Sequence, residues 1–201
     1  MMNRRINWLG LAAGITTLIM LAVSFYLPWW QLTIGENLFK INASPVYTNF
    51  GLFGAQFTIP LIWALNLITI LTFTACGVVM LLYSLLPTEP YAKELLGFSY
   101  RKPLYTVVSF AVVLIIIILV AGHFGLNIPL MGSATVTLPG TSSMGVTISA
   151  LVSGNFQLSF WLAIIAAALC IAARLYHSHV AKPSITPETA VTPVNTAPIN
   201  A

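Results

Sequence analysis

Four long apolar stretches dominate this sequence and restrict it to one class of protein. They cover residues 8–27, 60–85, 104–124 and 158–175, and the only charge within them is Arg174, near the end of the fourth. About 20 residues of helix cross the roughly 30 Å of hydrocarbon in a bilayer. Only 6% of the chain is charged, against about a quarter in soluble domains. The sequence therefore predicts an all-α membrane protein, a bundle of four transmembrane helices in contact with the lipid bilayer.

The Lys and Arg residues predict how the bundle is oriented. Lys40 falls on one side of the four spans, and the other basic residues fall on the opposite side: Arg4, Arg5, Lys93, Arg101, Lys102, Arg174 and Lys182. Because basic residues near span ends stay in the cytoplasm, we expect a multi-pass protein of the cell membrane with both termini cytoplasmic. An alternative is that residues 4–24 form a cleaved secretory signal, which would leave three spans.

The two outer loops, residues 31–59 and 125–157, carry strand patterns. Residues 31–34 and 38–41 flank Gly35-Glu36-Asn37, and residues 46–50 add a further candidate strand. In the second loop, alternating segments 133–138 and 145–151 flank the turn signal Pro139-Gly140. An isolated hairpin is marginally stable in water, so we expect both loops to pair into one small extracellular β-sheet cap. Two independent loops are the alternative.

The remaining segments give weaker signals. Residues 86–103 form a short inner loop, in which Thr88-Glu89-Pro90 is typical of a helix start and Leu95, Leu96 and Phe98 are expected to rest on the membrane surface. Residues 182–201 are rich in Pro, Thr and Ala without apolar periodicity, which predicts a disordered cytoplasmic tail after a membrane domain of residues 1–181.

Small and polar residues inside the spans predict helix packing. Gly10 and Gly14 form a GxxxG motif in the first span, and Ala163 and Ala167 repeat a small residue at four-residue spacing in the fourth. Such residues allow helix backbones to approach closely, within one bundle or between subunits. Asn66 is the most polar residue within a span and is expected to hydrogen-bond across helices, as are the second-span residues Thr69, Thr72 and Thr74.

The sequence has no catalytic, metal or cofactor signature. It contains no Asp, and its four Glu residues lie in the predicted loops and tail, whereas membrane enzymes and ion-coupled transporters carry ionisable groups inside the bilayer. His123 stands alone, the pair His177 and His179 has no third ligand nearby, and Cys76 and Cys170 have no CxxC spacing. The basic residues form no run longer than two, so a nucleic-acid partner is not expected.

Two elements of the first outer loop carry a family likeness. Trp29-Trp30 begins the loop, and Gly51-Leu52-Phe53 follows. In this respect the first 85 or so residues resemble the claudin and peripheral-myelin-protein superfamily, whose members cross four times and carry a Trp, then Gly-Leu-Trp and two cysteines, in this loop. Both loop cysteines are absent here. The resemblance implies an outer sheet that associates laterally or adheres, with these five residues in contact with a partner.

Together these features predict a non-enzymatic scaffold, an adhesion-like protein or an accessory subunit of a membrane complex. Its helices would pack against other membrane proteins or a second copy, and its outer sheet would contact a partner. The alternative is a small channel or carrier for a neutral or lipidic solute, lined by Asn66 and the Thr residues of the second span. A third hypothesis is an enzyme that uses Cys76 or Cys170 as a reactive thiol.

Overall fold

The computed structural model describes residues 6–35, 38–137 and 149–180, which form four helices and six strands. The helices are α1 (Trp8–Ser24), α2 (Pro60–Leu85), α3 (Ala92–His123) and α4 (Leu158–Val180). The strands are β1 (Trp30–Ile34), β2 (Phe39–Ala43), β3 (Asn49–Leu52), β4 (Ala55–Phe57), β5 (Gly132–Thr137) and β6 (Ser149–Phe156).

Three of the described helices are long and apolar enough to cross a membrane. They are α2, α3 and the part of α4 from Leu158 to His177. The protein is therefore a multi-pass membrane protein with a small antiparallel sheet. The helix α1 is equally apolar but has only 17 residues. It ends at Ser24, three residues before the predicted end of the first span at residue 27.

The inner segment, residues 86–103, is mostly helical, in line with the helix start predicted at Thr88-Glu89-Pro90. The helix α3 begins at Ala92 and continues for 32 residues through Pro103, so it does not start at residue 104 as the span prediction had it. Leu96 was expected on the membrane surface, but it is fully buried with Ala92 against Met80 and Tyr83 of α2. Burying these apolar side chains against the bundle outweighs the preference for an open loop.

The strands form one six-stranded antiparallel sheet in the order β4-β3-β2-β1-β6-β5. The two loops meet where β1 pairs with β6, with Trp30 opposite Phe156 and Ile34 opposite Val152. The predicted shared sheet is therefore confirmed. The sequence did not predict β4, and the turn at Pro139-Gly140, like residues 145–148 and the tail, lies outside the described residues.

The sheet has one apolar and one polar face. Its apolar face packs Trp30, Leu32, Val136 and Val152 against Leu114 of α3. Its other face carries a row of amide side chains linked from strand to strand: Gln31 donates to Asn42 (2.8 Å), Asn42 to Asn49 (2.7 Å) and Asn49 to Gln56 (3.0 Å). The alternation follows from the two-residue period of a strand.

Helix and sheet are joined at Trp29, which is fully buried. Its ring lies 6.4 Å from that of Phe73 in α2, 5.2 Å from Phe110 in α3 and 6.0 Å from Phe160 in α4. Its indole N–H donates to the hydroxyl of Ser24 in α1 at 3.0 Å. One side chain thus contacts all four helices, which fixes the sheet relative to the bundle.

The helices α2 and α3 extend further toward the sheet than α1 does. The backbone N–H of Asn7, just before α1, donates to the carbonyl of Ser84 at 3.0 Å, so these ends are level. From that level α1 rises ~25 Å to Ser24, whereas α2 rises ~36 Å to Pro60 at 1.5 Å per residue. The projecting ends of α2 and α3 therefore stand beside the sheet.

Glycines allow α1 and α2 to pack closely. A Cβ placed on Gly14 would lie 2.8 Å from Leu81, and one on Gly77 would lie 2.6 Å from Leu18. Gly10 faces Tyr83, with a Cβ distance of 3.1 Å. The predicted packing residues Gly10 and Gly14 therefore contact α2 of the same chain, and Ala163 and Ala167 are likewise buried in the bundle.

Candidate functional site

A cavity of about 610 Å³ lies between the apolar face of the sheet and the helices α2 and α3. This volume falls within the range of roughly 300–1,000 Å³ that is usual for ligand pockets. The sheet contributes Trp30, Leu32, Ile41, Ala43 and Phe50; the two helices contribute Ile62, Leu65, Asn66, Thr69, Thr106, Ser109, Phe110, Val113, Leu114, Ile117 and Ile118; and Ser44, Pro45, Thr48 and Ile128 complete the wall. The wall is predominantly apolar.

Asn66 holds the segment between β2 and β3 against α2. The Asn66 amide is oriented so that its oxygen accepts the backbone N–H of Thr48 at 2.8 Å and its nitrogen donates to the carbonyl of Pro45 at 3.2 Å. The sequence prediction of a hydrogen bond between helices is therefore corrected, since Asn66 bonds to a connecting segment. Thr69 and Thr74 donate within their own helix, to Leu65 and Ile70.

The other hydroxyls in the wall are also bonded to the protein. Thr106 donates to the carbonyl of Lys102 (2.9 Å), and Ser109 to that of Thr106 (3.2 Å). Ser44 accepts the N–H of Val46 at 3.2 Å, and Thr48 donates to the carbonyl of Ser44. Local bonds of this kind satisfy polar groups beside an apolar space.

The cavity is bordered by helices that are long and apolar enough to cross a membrane. Leu65 of α2 and Val113 and Ile117 of α3 line it, and each of these residues is more than half exposed. Part of the cavity wall therefore belongs to the apolar surface of α2 and α3.

The turn between β3 and β4 carries the predicted contact residues Gly51, Leu52 and Phe53. Phe53 and Gly54 form a two-residue turn with φ angles of +49° and +83°, the pattern of a type I′ hairpin. Phe53 is 77% exposed and Leu52 is exposed beside it. The N–H of Phe53 donates to the carbonyl of Leu38 at 2.8 Å, which brings a third exposed apolar side chain to this corner of the sheet.

Trp29 and Trp30 are not part of that exposed corner. Both are buried, and the indole N–H of Trp30 donates to the carbonyl of Leu130 at 2.9 Å. Their burial corrects the expectation that these two residues contact a partner. A large aromatic side chain at a helix–sheet junction removes more area from water by packing inside than by lying at a surface.

A second polar cluster lies at the end of the bundle away from the sheet. The hydroxyl of Tyr83 accepts a hydrogen bond from the Asn7 amide at 2.7 Å and lies 2.9 Å from Nδ1 of His177. The neighbouring His179 stacks its ring on Tyr176. This cluster ties the ends of α1, α2 and α4.

The remaining titratable residues are dispersed. Within the described ranges, no three His, Cys, Asp or Glu side chains come together as metal ligands would. His123 is exposed. Its one ring contact among the described residues is an edge-on contact with the neighbouring Phe124. Cys76 and Cys170 are both buried in the bundle as free thiols.

The sequence did not predict a cavity beside the sheet, but its channel-or-carrier alternative named part of the lining. That alternative placed Asn66 and the Thr residues of the second span along a solute path, and Asn66 and Thr69 do line the cavity. A cavity forms where two packed surfaces leave a gap between them. A local sequence pattern does not indicate such a gap. Comparison of the chain with protein-family models, with curated proteins and with solved structures finds no match, so the claudin-like resemblance stays a prediction.

Proposed function

We propose that this protein is a non-enzymatic membrane scaffold or accessory subunit that contacts a partner membrane protein through the exposed corner of its sheet. The proposed arrangement has four crossings, both termini in the cytoplasm and the sheet outside the cell. The proposal that it is not an enzyme rests on the sequence, which has no Asp and no Glu within the predicted spans.

The position of α1 supports a fourth crossing. At one end the Asn7 amide reaches the carbonyl of Ala173 in α4 at 3.4 Å. At the other end the hydroxyl of Ser159, in the first turn of α4, donates to the carbonyl of Pro28 at 2.6 Å. The two helices therefore run side by side over the whole of α1, and α1 traverses the same layer as α4.

The observation that carries the proposed contact is the conformation of Phe53. A bulky residue at positive φ is strained relative to glycine, by about 1 kcal/mol or more. Its side chain packs little against the rest of the chain, since Phe53 is 77% exposed. A strained, exposed aromatic residue beside the exposed Leu38 and Leu52 is the kind of anchor that protein interfaces use.

Replacing Phe53 tests the proposal without threatening the fold. We expect Phe53→Gly to fold at least as well as the wild type, because glycine adopts this φ without strain. We also expect it to lose the partner when the tagged chain is purified from its native membrane in mild detergent. Tyr26→Gly, which removes another exposed aromatic side chain from a turn, is the control that keeps the partner.

A photo-crosslinking residue at position 53 then identifies what is bound. A crosslink to another membrane protein supports the accessory-subunit interpretation, and a crosslink to a second copy of this chain makes the protein a self-associating scaffold. Equal recovery of partners by the wild type and Phe53→Gly would reject this corner as the contact surface.

The cavity favours a second candidate function, a carrier for a neutral or lipidic solute. It lies beside the sheet, and part of its wall belongs to the apolar surface of α2 and α3. Reconstituted liposomes would reveal such an activity as movement of a labelled solute or lipid across the membrane. Movement that is equal with and without the protein would remove this candidate.

A further inference from the structure

We infer that the cavity between the sheet and the helices α2 and α3 holds one hydrocarbon chain of a bilayer lipid. The inference deepens the second candidate function, because it names the class of molecule that the cavity holds. It rests on the same proposed position of α2 and α3 in the membrane, and it does not depend on a protein partner. Three properties of the cavity carry it: the pairing of its polar groups, the residues that border it and its length.

Most polar groups of the wall already have a hydrogen-bond partner within the protein. The oxygen and nitrogen of Asn66 are both taken by Thr48 and Pro45. The hydroxyls of Thr69, Thr106 and Ser109 each donate to a carbonyl within their own helix. Among the described residues, no buried side-chain nitrogen or oxygen lacks a hydrogen-bond partner.

Water or a polar solute would therefore find few partners in this wall. An ordered buried water needs about two to four polar partners, and a polar ligand that finds no partners loses its hydration without compensation. A hydrocarbon chain needs only apolar contact. Trp30, Leu32, Phe50 and Leu114 provide such contact on the sheet and helix sides.

The cavity is bordered by residues that the proposed membrane setting places next to lipid. Val113 and Ile117 of α3 and Leu65 of α2 line it, and each is more than half exposed. In that setting a lipid chain enters the cavity from the bilayer without crossing water.

The cavity is long enough to hold an extended chain. The part of α3 that lines it runs from Thr106 to Ile118, which is ~18 Å at 1.5 Å per residue. A hydrocarbon chain can lie along this length within the volume of about 610 Å³.

Two neighbouring valines provide the test. Val113 lines the cavity, whereas Val112 is exposed to lipid and does not line it. We would purify the wild type, Val113→Trp and Val112→Trp in detergent, wash each extensively, and count retained lipids by native mass spectrometry. A milder variant, Ile117→Phe, fills the same space should Val113→Trp fail to fold.

The expected result is one retained lipid in the wild type and Val112→Trp, and a loss of about tenfold or more in Val113→Trp and Ile117→Phe. A lipid with a photoreactive group on its chain should label peptides of residues 104–118 in the wild type and lose that label in the filled variants. Equal retention in all four proteins, or labelling unchanged by filling, would overturn the inference.

These outcomes are separable from the proposed functions. Lipid retention is measured on the purified chain, so it does not depend on whether Phe53 captures a partner. If the purified protein retains lipid but moves none across liposome membranes, the lipid is a structural component and the carrier function is rejected. Loss of partner capture in Phe53→Gly, with lipid retained, would show that the two sites are independent.

Discussion

The side-chain oxygen of Asn66 in α2 accepts the backbone N–H of Thr48, in the segment between β2 and β3, at 2.8 Å. The same amide donates to the carbonyl of Pro45 at 3.2 Å. One side chain in a membrane-spanning helix thereby satisfies two backbone groups of a non-helical segment. An unsatisfied backbone group is costly next to hydrocarbon. These two bonds therefore allow the segment between β2 and β3 to pack against α2.

We predict that Asn66→Leu destabilises the protein by about 1–3 kcal/mol, because it leaves the Thr48 N–H and the Pro45 carbonyl unpaired. Thermal unfolding in detergent, followed by tryptophan fluorescence, measures the change. Thr69→Val is the control, since that hydroxyl bonds only to Leu65 of its own helix. Equal stability of the two variants would mean that the amide bonds contribute nothing.

We predict that Gly77→Ala loosens the contact between α1 and α2. The added methyl would lie 2.6 Å from a side-chain carbon of Leu18, so the Leu18 side chain must change rotamer or the two helices must move apart. Overpacking of this kind costs about 1–3 kcal/mol. Gly122→Ala in α3 is the matched control, because its Cβ meets nothing within 4 Å, and we expect it to be neutral or slightly stabilising. Similar unfolding temperatures for both variants would contradict this packing.

We predict that Gly154→Ala disrupts the sheet where β6 passes the segment before β5. A Cβ at this position would collide with the backbone carbonyl of Pro129 and crowd the ring of Trp30 at 3.1 Å. Gly51→Ala should be tolerated, because its nearest neighbour, a side-chain carbon of Lys40, is at an ordinary 3.4 Å. Limited proteolysis in detergent distinguishes them: only Gly154→Ala should expose new cleavage sites in the sheet, and equal protection would count against the close approach of β6 to Pro129.

We predict that Tyr83→Phe weakens the joint between α1, α2 and α4. The hydroxyl is the partner of the Asn7 amide nitrogen at 2.7 Å and of His177 at 2.9 Å. Its removal leaves that nitrogen with only the longer contact to the carbonyl of Ala173. The expected cost is about 1–2 kcal/mol. Tyr91→Phe changes an exposed ring and should unfold at the wild-type temperature when thermal unfolding is followed in detergent. An equal drop in the unfolding temperature of Tyr91→Phe would show that the effect is not specific to the joint.

The sequence by itself determined that this is a multi-pass membrane protein and that its two outer loops form strands. Span length, the lack of charge and the two-residue alternation are local properties, so they can be read before any contact is known. Gly10, Gly14, Ala163 and Ala167 could be recognised as packing residues for the same reason, since a small side chain permits close approach whichever helix it meets.

Tertiary structure alone decided the rest. Trp29 was expected at a surface and became the centre of the core, because only the assembled bundle offers Phe73, Phe110 and Phe160 around it. The cavity exists because α2 and α3 stand apart beside the sheet, and that depends on pairing between β1 and β6, more than 100 residues apart in the chain. Interactions over such separations leave no periodic trace in the sequence, whereas the preference of each segment for lipid or for a half-buried strand does.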